Sequence, residues 1–198
     1  PFSFPPGLGK EDKKKFAKIR EKIMRAIEPQ DFIETIYVDE LSHLLWQIQE
    51  IRSRIAKLQQ ENHPIRFNMG CDRDLREGYI NVDQHNDLAD VKDNIITMWM
   101  PEGETEEIFA SHVLEHIPHF MAPGLLQKWH VSLKEGGRLI LELPDLEALC
   151  QAFGSADEEQ RQLLTLCIYG AFADCMGPEA VSAGTSSPHV WGYTPKSL

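Results

Sequence analysis

The stretch RFNMGCDRDLREGYINVD, residues 66–83, carries the strongest fold signal in this chain of 198 residues. Two strand-like runs are predicted here: Ile65–Met69, which begins one residue before the stretch and is followed by Gly70, and Tyr79–Val82, which is followed by Asp83. A glycine after a buried strand lets the backbone turn and approach a ligand where a Cβ atom would clash. An acidic residue after the second strand is placed to accept hydrogen bonds from the hydroxyls of a ribose. The layout predicts a nucleotide-type cofactor site.

The same stretch lacks the features of a dinucleotide site. Such a site needs the pattern G-x-G-x-x-G and a helix whose N-terminus faces a pyrophosphate. Here Asp72 stands where the second glycine is expected, and only the residues Cys71–Gly78 separate the two strands. An ordinary helical crossover takes at least ~10–12 residues. The loop therefore favours a cofactor without phosphates, which makes a nicotinamide-dependent enzyme the weakest candidate.

The chain after Pro64 alternates between strand and helix patterns. Further strand-like runs lie at Glu107–Ala110 and at 138–143, and helical patterns lie at Val113–Ile117 and Gln127–Leu133. Alternation of this kind predicts an α/β domain, Rossmann-like and with a mainly parallel sheet, over residues 64–198. In such a sheet the ligand site lies at the carboxyl ends of the strands.

Two different segments precede this domain. Residues 1–10 are rich in proline and glycine, which predicts an extended arm. Residues 11–63 form a helical N-terminal segment: apolar residues recur at helical spacing from Phe16 until Pro29 ends the first helix. Asp39 is then the predicted N-cap of a second helix.

The second helix carries an apolar heptad pattern. Its members are Leu41, Leu44, Ile48, Ile51, Ile55 and Leu58. Such a seam packs either against a neighbour in the same chain or against a second copy in a coiled coil. Fewer than three full heptads favour packing within the chain, and a homodimer through residues 41–58 stays as the alternative.

The composition restricts the partners. The chain has 31 acidic and 20 basic side chains and a formal charge of −11, which repels phosphate backbones and makes nucleic acid an unlikely partner. The four cysteines form no CxxC pair, which is typical of a reducing compartment. No apolar run approaches the ~20 residues of a membrane span. These features predict a cytoplasmic protein that does not enter the membrane.

From the glycine loop onward, the sequence resembles the class I S-adenosylmethionine-dependent methyltransferases, in particular a subgroup with GCG, a short loop, GY or GW, and INVD. Gly70-Cys71, Gly78-Tyr79 and INVD at 80–83 match that pattern, as do SHVLEHI at 111–117 and LKEGGRLILELPDL at 133–146. The resemblance covers about two thirds of the chain in the right order.

The resemblance implies a set of cofactor contacts. Gly70, Cys71 and Asp72 would line the methionine part of S-adenosylmethionine. Asp83 would bind the ribose, and Asp93 would lie near the adenine amino group. Asp72 departs from the family pattern: its carboxylate either narrows the pocket or binds the ammonium of the cofactor.

The resemblance also implies a reactive end of the site. Ser111 and His112 would lie beside the sulfonium, and His112 is the candidate catalytic base for a small-molecule or glycan-like acceptor. On a helix His112, Glu115 and His116 would share one face and could ligate a metal. Because Leu-Glu-His simply begins a helix in many domains of this kind, no metal site is predicted. His189 and Tyr193 could border the acceptor.

The C-terminal end leaves an alternative open. The family sheet usually continues with two further strands after the point where this sequence stops, and 193–195 has the pattern of a helix start. The predicted sheet is therefore incomplete at its C-terminal end. The alternative to an enzyme is a non-catalytic methyltransferase-fold protein for binding or assembly, with a degenerate cofactor loop.

Overall fold

The computed structural model of the protein describes residue 4, residues 8–171 and residues 187–195. The helices are α1 (Lys10–Ile27), α2 (Phe32–Gln60), α3 (Ala122–Ser132), α4 (Leu146–Ser155) and α5 (Glu158–Tyr169). The strands are β1 (Arg66–Met69), β2 (Ile80–Val82), β3 (Thr105–Ser111), β4 (Leu133–Glu142), β5 (Gly170–Ala171) and β6 (Ser187–Pro188). No helix within these ranges combines the length and the apolarity that crossing a bilayer requires.

The main sheet has four parallel strands in the order β2-β1-β3-β4. Val91 adds an isolated parallel bridge to Val82 on the outer side of β2. With the Val91 segment counted third, the spatial order follows the chain as 3-2-1-4-5, the order of a doubly wound Rossmann-like sheet. This confirms the predicted α/β architecture with a parallel sheet.

β1 and β2 are joined by a loop without a helix, and a side-chain network holds this loop in place. Asn81 Oδ1 accepts hydrogen bonds from Asn68 Nδ2 at 2.9 Å and from the backbone N–H of Arg76 at 2.8 Å. Asn81 Nδ2 donates to the carboxylate of Asp90 at 3.0 Å, and Asn68 Nδ2 also donates to the carbonyl of Asp74 at 2.6 Å. Because Asn68 and Asn81 are buried, each of these bonds satisfies a group that water does not reach.

The hydrophobic core lies between the sheet, the C-terminal half of α2, and α3. Fully or nearly fully buried members from these elements are Ile51, Ile55, Phe67, Met69, Val82, Ile108, Leu125 and Trp129. α1 packs against the N-terminal half of α2 instead, where Phe16 is buried with its ring 6.1 Å from that of Trp46. Phe4, the described aromatic residue of the predicted arm, lies with its ring 6.0 Å from that of Phe16.

The predicted start of the second helix was wrong. α2 begins at Phe32, and its N-cap is Asp31, whose carboxylate accepts a hydrogen bond from Glu34 N at 2.8 Å. Both aspartates are good capping residues, but Asp31 comes first after the break at Pro29. Asp39 lies inside the helix and accepts a hydrogen bond from Arg20 Nε of α1 at 2.6 Å.

The heptad seam has two different environments. Its C-terminal members, Ile51 and Ile55, are buried in the core of the sheet domain. Its N-terminal members, Leu41 and Leu44, are 40% and 51% exposed. Packing within the chain therefore accounts for the second half of the seam only.

The region after β3 also differs from the sequence prediction. Val113–Ile117 is not an α-helix but contains a single 3-10 turn, Leu114–His116. The turn ends at His116 because of Pro118. The residue before a proline favours extended backbone, and Ile117 is extended, with φ −95° and ψ 130°. α3 begins five residues before the predicted position 127. β4 likewise begins early, with an irregularity between Leu133 and Arg138.

The described C-terminal segment, 187–195, crosses over the 3-10 turn. The backbone N–H groups of Val190 and Trp191 both donate to the carbonyl of Glu115, at 2.7 and 3.2 Å. Tyr193 forms a parallel bridge with Asp145 next to β4. The helix start predicted at 193–195 depends on residues 196–198, which lie outside the described residues. Among the described strands, β4 pairs only with β3.

Candidate cofactor site and the adjoining histidine cluster

A cavity of about 780 Å³ opens at the carboxyl ends of β1, β2 and β3. It lies where the chain order reverses between β1 and β3, the position at which open α/β sheets bind ligands. The structure brings the seven residues singled out from the sequence together in its lining: Gly70, Cys71, Asp72, Asp83, Asp93, Ser111 and His112. They come from four separate places along the chain.

A glycine is required at position 70 by the backbone conformation and by the nearby side chain of Val113. Its φ is +64°, and a Cβ atom there would lie 2.7 Å from Cγ2 of Val113. Cys71 follows it as a buried thiol. Burial, and secondarily the charge of Asp83, raises the pKa of this thiol to about 11. Cys71 therefore stays protonated near neutrality and contributes shape rather than a nucleophile.

Asp72 has a left-handed backbone conformation, which glycine adopts most easily. Its φ is 38°, in the left-handed region that aspartate and asparagine tolerate better than most residues. Its N–H donates to Asp83 Oδ2 at 3.1 Å, and its carbonyl accepts from Asn86 Nδ2. Within the described residues the carboxylate of Asp72 accepts no hydrogen bond. The side chain is exposed at the cavity wall.

Asp83 organises the loops on both sides of the cavity mouth. Its Oδ1 accepts from the N–H groups of His85 and Asn86 at 2.7 and 2.9 Å, and its Oδ2 accepts from Asp72 N. A carboxylate offers about four acceptor positions. Oδ2 therefore retains one position for a hydroxyl donor such as that of a ribose.

Asp93 presents an unsatisfied buried group at the cavity. The residue is 7% exposed, and Oδ1 accepts from Asn94 N at 2.7 Å. Oδ2 is buried and has no hydrogen-bond partner among the described residues. Burial raises the pKa of Asp93, and the charge of Lys128 partly opposes that rise. A ligand amino group that donates to Oδ2 would remove the free-energy cost of burying this oxygen without a hydrogen-bond partner.

Lys128 was not singled out from the sequence. It reaches from α3 and donates to the carbonyls of Ile95 and Ile96, each at 2.9 Å, and both residues line the cavity. Burial lowers the pKa of Lys128 to about 8. A single lysine on an amphipathic helix carries no sequence signal for such a position.

His112 has a strained backbone and a paired side chain. Its φ is 54°, which is uncommon for a residue other than glycine and often marks functional sites. Nδ1 lies 3.0 Å from Oε1 of Glu115, whose side chain is 2% exposed, whereas the side chain of His112 is 63% exposed. A carboxylate only accepts, so it holds a proton on Nδ1 and leaves the lone pair on Nε2. That is the arrangement of an oriented general base.

Glu115 also belongs to a second group of side chains behind the cavity. One ligand atom from each of Glu115, His116 and His189 lies within 4.8 Å of the others. The sequence suggested His112 as the companion of Glu115 and His116, but the 3-10 turn leaves His112 outside this trio. His189 and Tyr193 line a small pocket together with Glu115. No spacing pattern connects residues so far apart in the chain.

Comparisons with protein-family models, with curated protein sequences and with solved structures found no significant match for this chain.

Proposed function

We propose that this protein binds S-adenosylmethionine in the cavity and transfers its methyl group to a small-molecule or glycan-like acceptor. The supporting observation is that the seven residues implied by the methyltransferase resemblance line one cavity at the switch point of a 3-2-1-4-5 sheet. The resemblance implies that these residues contact one ligand, and their convergence on one cavity agrees with that expectation.

The chemistry of the lining fits the parts of this cofactor. Asp93 Oδ2 would accept from the adenine amino group, and the remaining position of Asp83 Oδ2 would accept from a ribose hydroxyl. Gly70 lets the backbone come close to the methionine part, and the exposed carboxylate of Asp72 would attract its ammonium. Bound S-adenosylmethionine would supply a methyl group that is already activated for displacement.

The chain itself would position the acceptor and remove its proton. His112 lines the same cavity, and Glu115 holds its imidazole with the proton on Nδ1. Nε2 would then accept the proton of an acceptor hydroxyl, and the buried carboxylate would stabilise the imidazolium that forms. These two residues favour a hydroxyl-bearing acceptor.

Calorimetric titration of the full chain with S-adenosylmethionine and S-adenosylhomocysteine tests the proposal. We expect both to bind and Asp93→Ala to weaken binding about 10–100-fold, because a hydrogen bond to a charged group is worth about 1.5–3 kcal/mol. Asp87→Ala is the matched control, since the side chain of Asp87 is 83% exposed and lies outside the cavity. Folded protein that binds neither compound at millimolar concentration would overturn the cofactor and the enzyme together.

A second candidate function is assembly without catalysis. The N-terminal half of α2 exposes large apolar side chains, namely Phe32 (70%), Ile33 (60%), Tyr37 (63%), Leu41 (40%) and Leu44 (51%). Four of them, Ile33, Tyr37, Leu41 and Leu44, recur at spacings of four, four and three residues and so share one face of the helix, and exposed apolar surface of this kind marks interaction sites. A second copy of the chain is the occupant we infer, because Leu41 and Leu44 belong to the heptad seam, Tyr37 lies one heptad before Leu44, and a coiled coil is the alternative to packing within the chain. Absence of cofactor binding together with a stable dimer would favour this function.

A further inference from the structure

Three side chains meet where the 3-10 turn at 114–116 is covered by the segment 187–193. Glu115 and His116 come from the turn, and His189 comes from the segment. The rings of His116 and His189 lie 4.9 Å apart between centroids. Two imidazoles and a carboxylate at such short range are typical ligands of a divalent transition metal.

The carboxylate of Glu115 is only partly satisfied. Its residue is 1% exposed, and Oε1 is paired with His112 Nδ1 at 3.0 Å. Oε2 is buried and has no hydrogen-bond partner among the described residues. Leaving a buried charged oxygen without a partner costs several kcal/mol in typical cases. A cation bound at Oε2 would remove that cost.

The two histidines are held with the proton on the same nitrogen. His116 Nδ1 lies 3.0 Å from the carbonyl of Pro188, and His189 Nδ1 lies 3.2 Å from the carbonyl of Ile168. A carbonyl only accepts, so Nδ1 is the donor in both rings and the lone pair is on Nε2. Metal-bound histidines almost always donate their other ring N–H to a carbonyl or a carboxylate in this way.

We propose that Glu115 Oε2, His116 Nε2 and His189 Nε2 form a binding site for a divalent transition-metal ion, with Zn²⁺ as the best fit. Two histidines and one glutamate are a known zinc ligand set, which leaves a fourth position for water or a substrate oxygen. Ligand atoms about 2.0–2.2 Å from a tetrahedral zinc lie roughly 3.4 Å from each other. One ligand atom from each of the three residues already lies within 4.8 Å of the others, which is close to the spacing that tetrahedral coordination requires.

This site does not depend on methyl transfer, because it is defined by metal binding alone. Its test is a calorimetric titration of chelator-treated full-length protein with Zn²⁺ in the absence of S-adenosylmethionine. The exposed thiols of Cys150 and Cys167 are first replaced by serine, because they would compete for zinc. We expect one bound ion per chain and a visible absorption spectrum of tetrahedral type when Co²⁺ replaces Zn²⁺.

Two variants identify the ligands. His189→Ala removes one imidazole. Glu115→Gln keeps the volume of the side chain, and it keeps the backbone carbonyl that accepts hydrogen bonds from the N–H groups of Val190 and Trp191. Each should weaken zinc binding by more than the roughly 10–100-fold that loss of an outer-shell partner costs. His130→Ala is the matched control, because His130 is exposed on α3 and lies outside the trio.

Each result of these zinc titrations either supports or overturns the proposed metal site. The proposal is overturned by the absence of one-to-one binding in the parent protein, or by ligand variants that bind zinc as tightly as His130→Ala. Circular dichroism of each variant shows whether it is folded, and Glu115→Gln decides the question should His189→Ala fail to fold. Titrating the same samples with S-adenosylmethionine shows separately whether the cofactor binds. Failure of the metal site can therefore be told from failure of the proposed cofactor site.

Discussion

The effect of Asp72 at the cavity wall depends on its shape and on its charge, and the two can be separated. Asp72→Gly removes the Cβ strain at φ 38° but adds chain entropy to the unfolded state, so stability should change by no more than about 1 kcal/mol. Asp72→Asn keeps a residue that tolerates this conformation and removes only the charge. If the carboxylate binds the cofactor ammonium, both variants bind S-adenosylmethionine several-fold more weakly in calorimetry. Tighter binding by Asp72→Gly would instead identify the side chain as an obstruction.

The buried carboxylate of Asp93 is expected to lower the stability of the fold while it favours ligand binding. Because the folded-state pKa of Asp93 is raised above its unfolded value, folding becomes less favourable as the pH rises through these pKa values. Asp93→Asn should therefore raise the thermal midpoint at pH 7 relative to the parent protein, and the difference should disappear near pH 3. Thermal scans at the two pH values measure this. An Asp93→Asn variant that is less stable at pH 7 would contradict the assignment of a strained, ligand-directed carboxylate.

At the scale of elements, the loop between β1 and β2 replaces a helix by side-chain hydrogen bonds. Asn81→Ala would remove one of the two acceptors of the buried Asn68 amide, the acceptor of the N–H of Arg76 and a donor to the carboxylate of Asp90. We expect a loss of about 2 kcal/mol or more in the free energy of unfolding by urea, because unsatisfied buried donors cost about 1–3 kcal/mol each. Glu77→Ala, an exposed change in the same loop, should have almost no effect. Equal stability of the two variants would contradict a structural role for this network.

Some elements could be predicted from sequence and others could not, for physical reasons. β1, β2 and β3 were located to within two residues because each is a short apolar run bounded by turn residues. The start of α2 was missed because Asp31 and Asp39 are equally good caps by residue type, and the earlier of the two, Asp31, caps the helix while Asp39 pairs with Arg20. The turn after β3 was missed because Val-Leu-Glu-His-Ile suits either a 3-10 turn or an α-helix.

At the scale of the whole molecule, α2 is long enough to serve two purposes. Its 29 residues span about 44 Å, and the sheet domain covers only the C-terminal half of its apolar seam. Light scattering should give a dimer mass, twice 22.6 kDa, at high concentration. The double change Tyr37→Glu and Leu44→Glu should restore the monomer, whereas Leu88→Glu, at a position 76% exposed elsewhere, should not. A monomer mass for the parent protein at high concentration would remove the homodimer.

The grouping of the cavity residues could be predicted from the sequence, whereas the trio of Glu115, His116 and His189 could not. Residues that follow parallel strands converge at one edge of the sheet, so Gly70, Asp83 and Ser111 could be grouped from the sequence. The three residues of the trio meet because the C-terminal segment crosses over the 3-10 turn at 114–116, and no local sequence pattern predicts that crossing.

The late arrival of His189 has a consequence for biosynthesis. It lies 74 residues after Glu115, and ribosomes add about 5–20 residues per second, so Glu115 is made roughly 4–15 s earlier. During that interval neither the third metal ligand nor the two backbone donors to the Glu115 carbonyl exist. The nascent chain therefore cannot assemble this trio until residues 189–191 have been made, so the proposed metal site would form only after β1 to β4 have been synthesised.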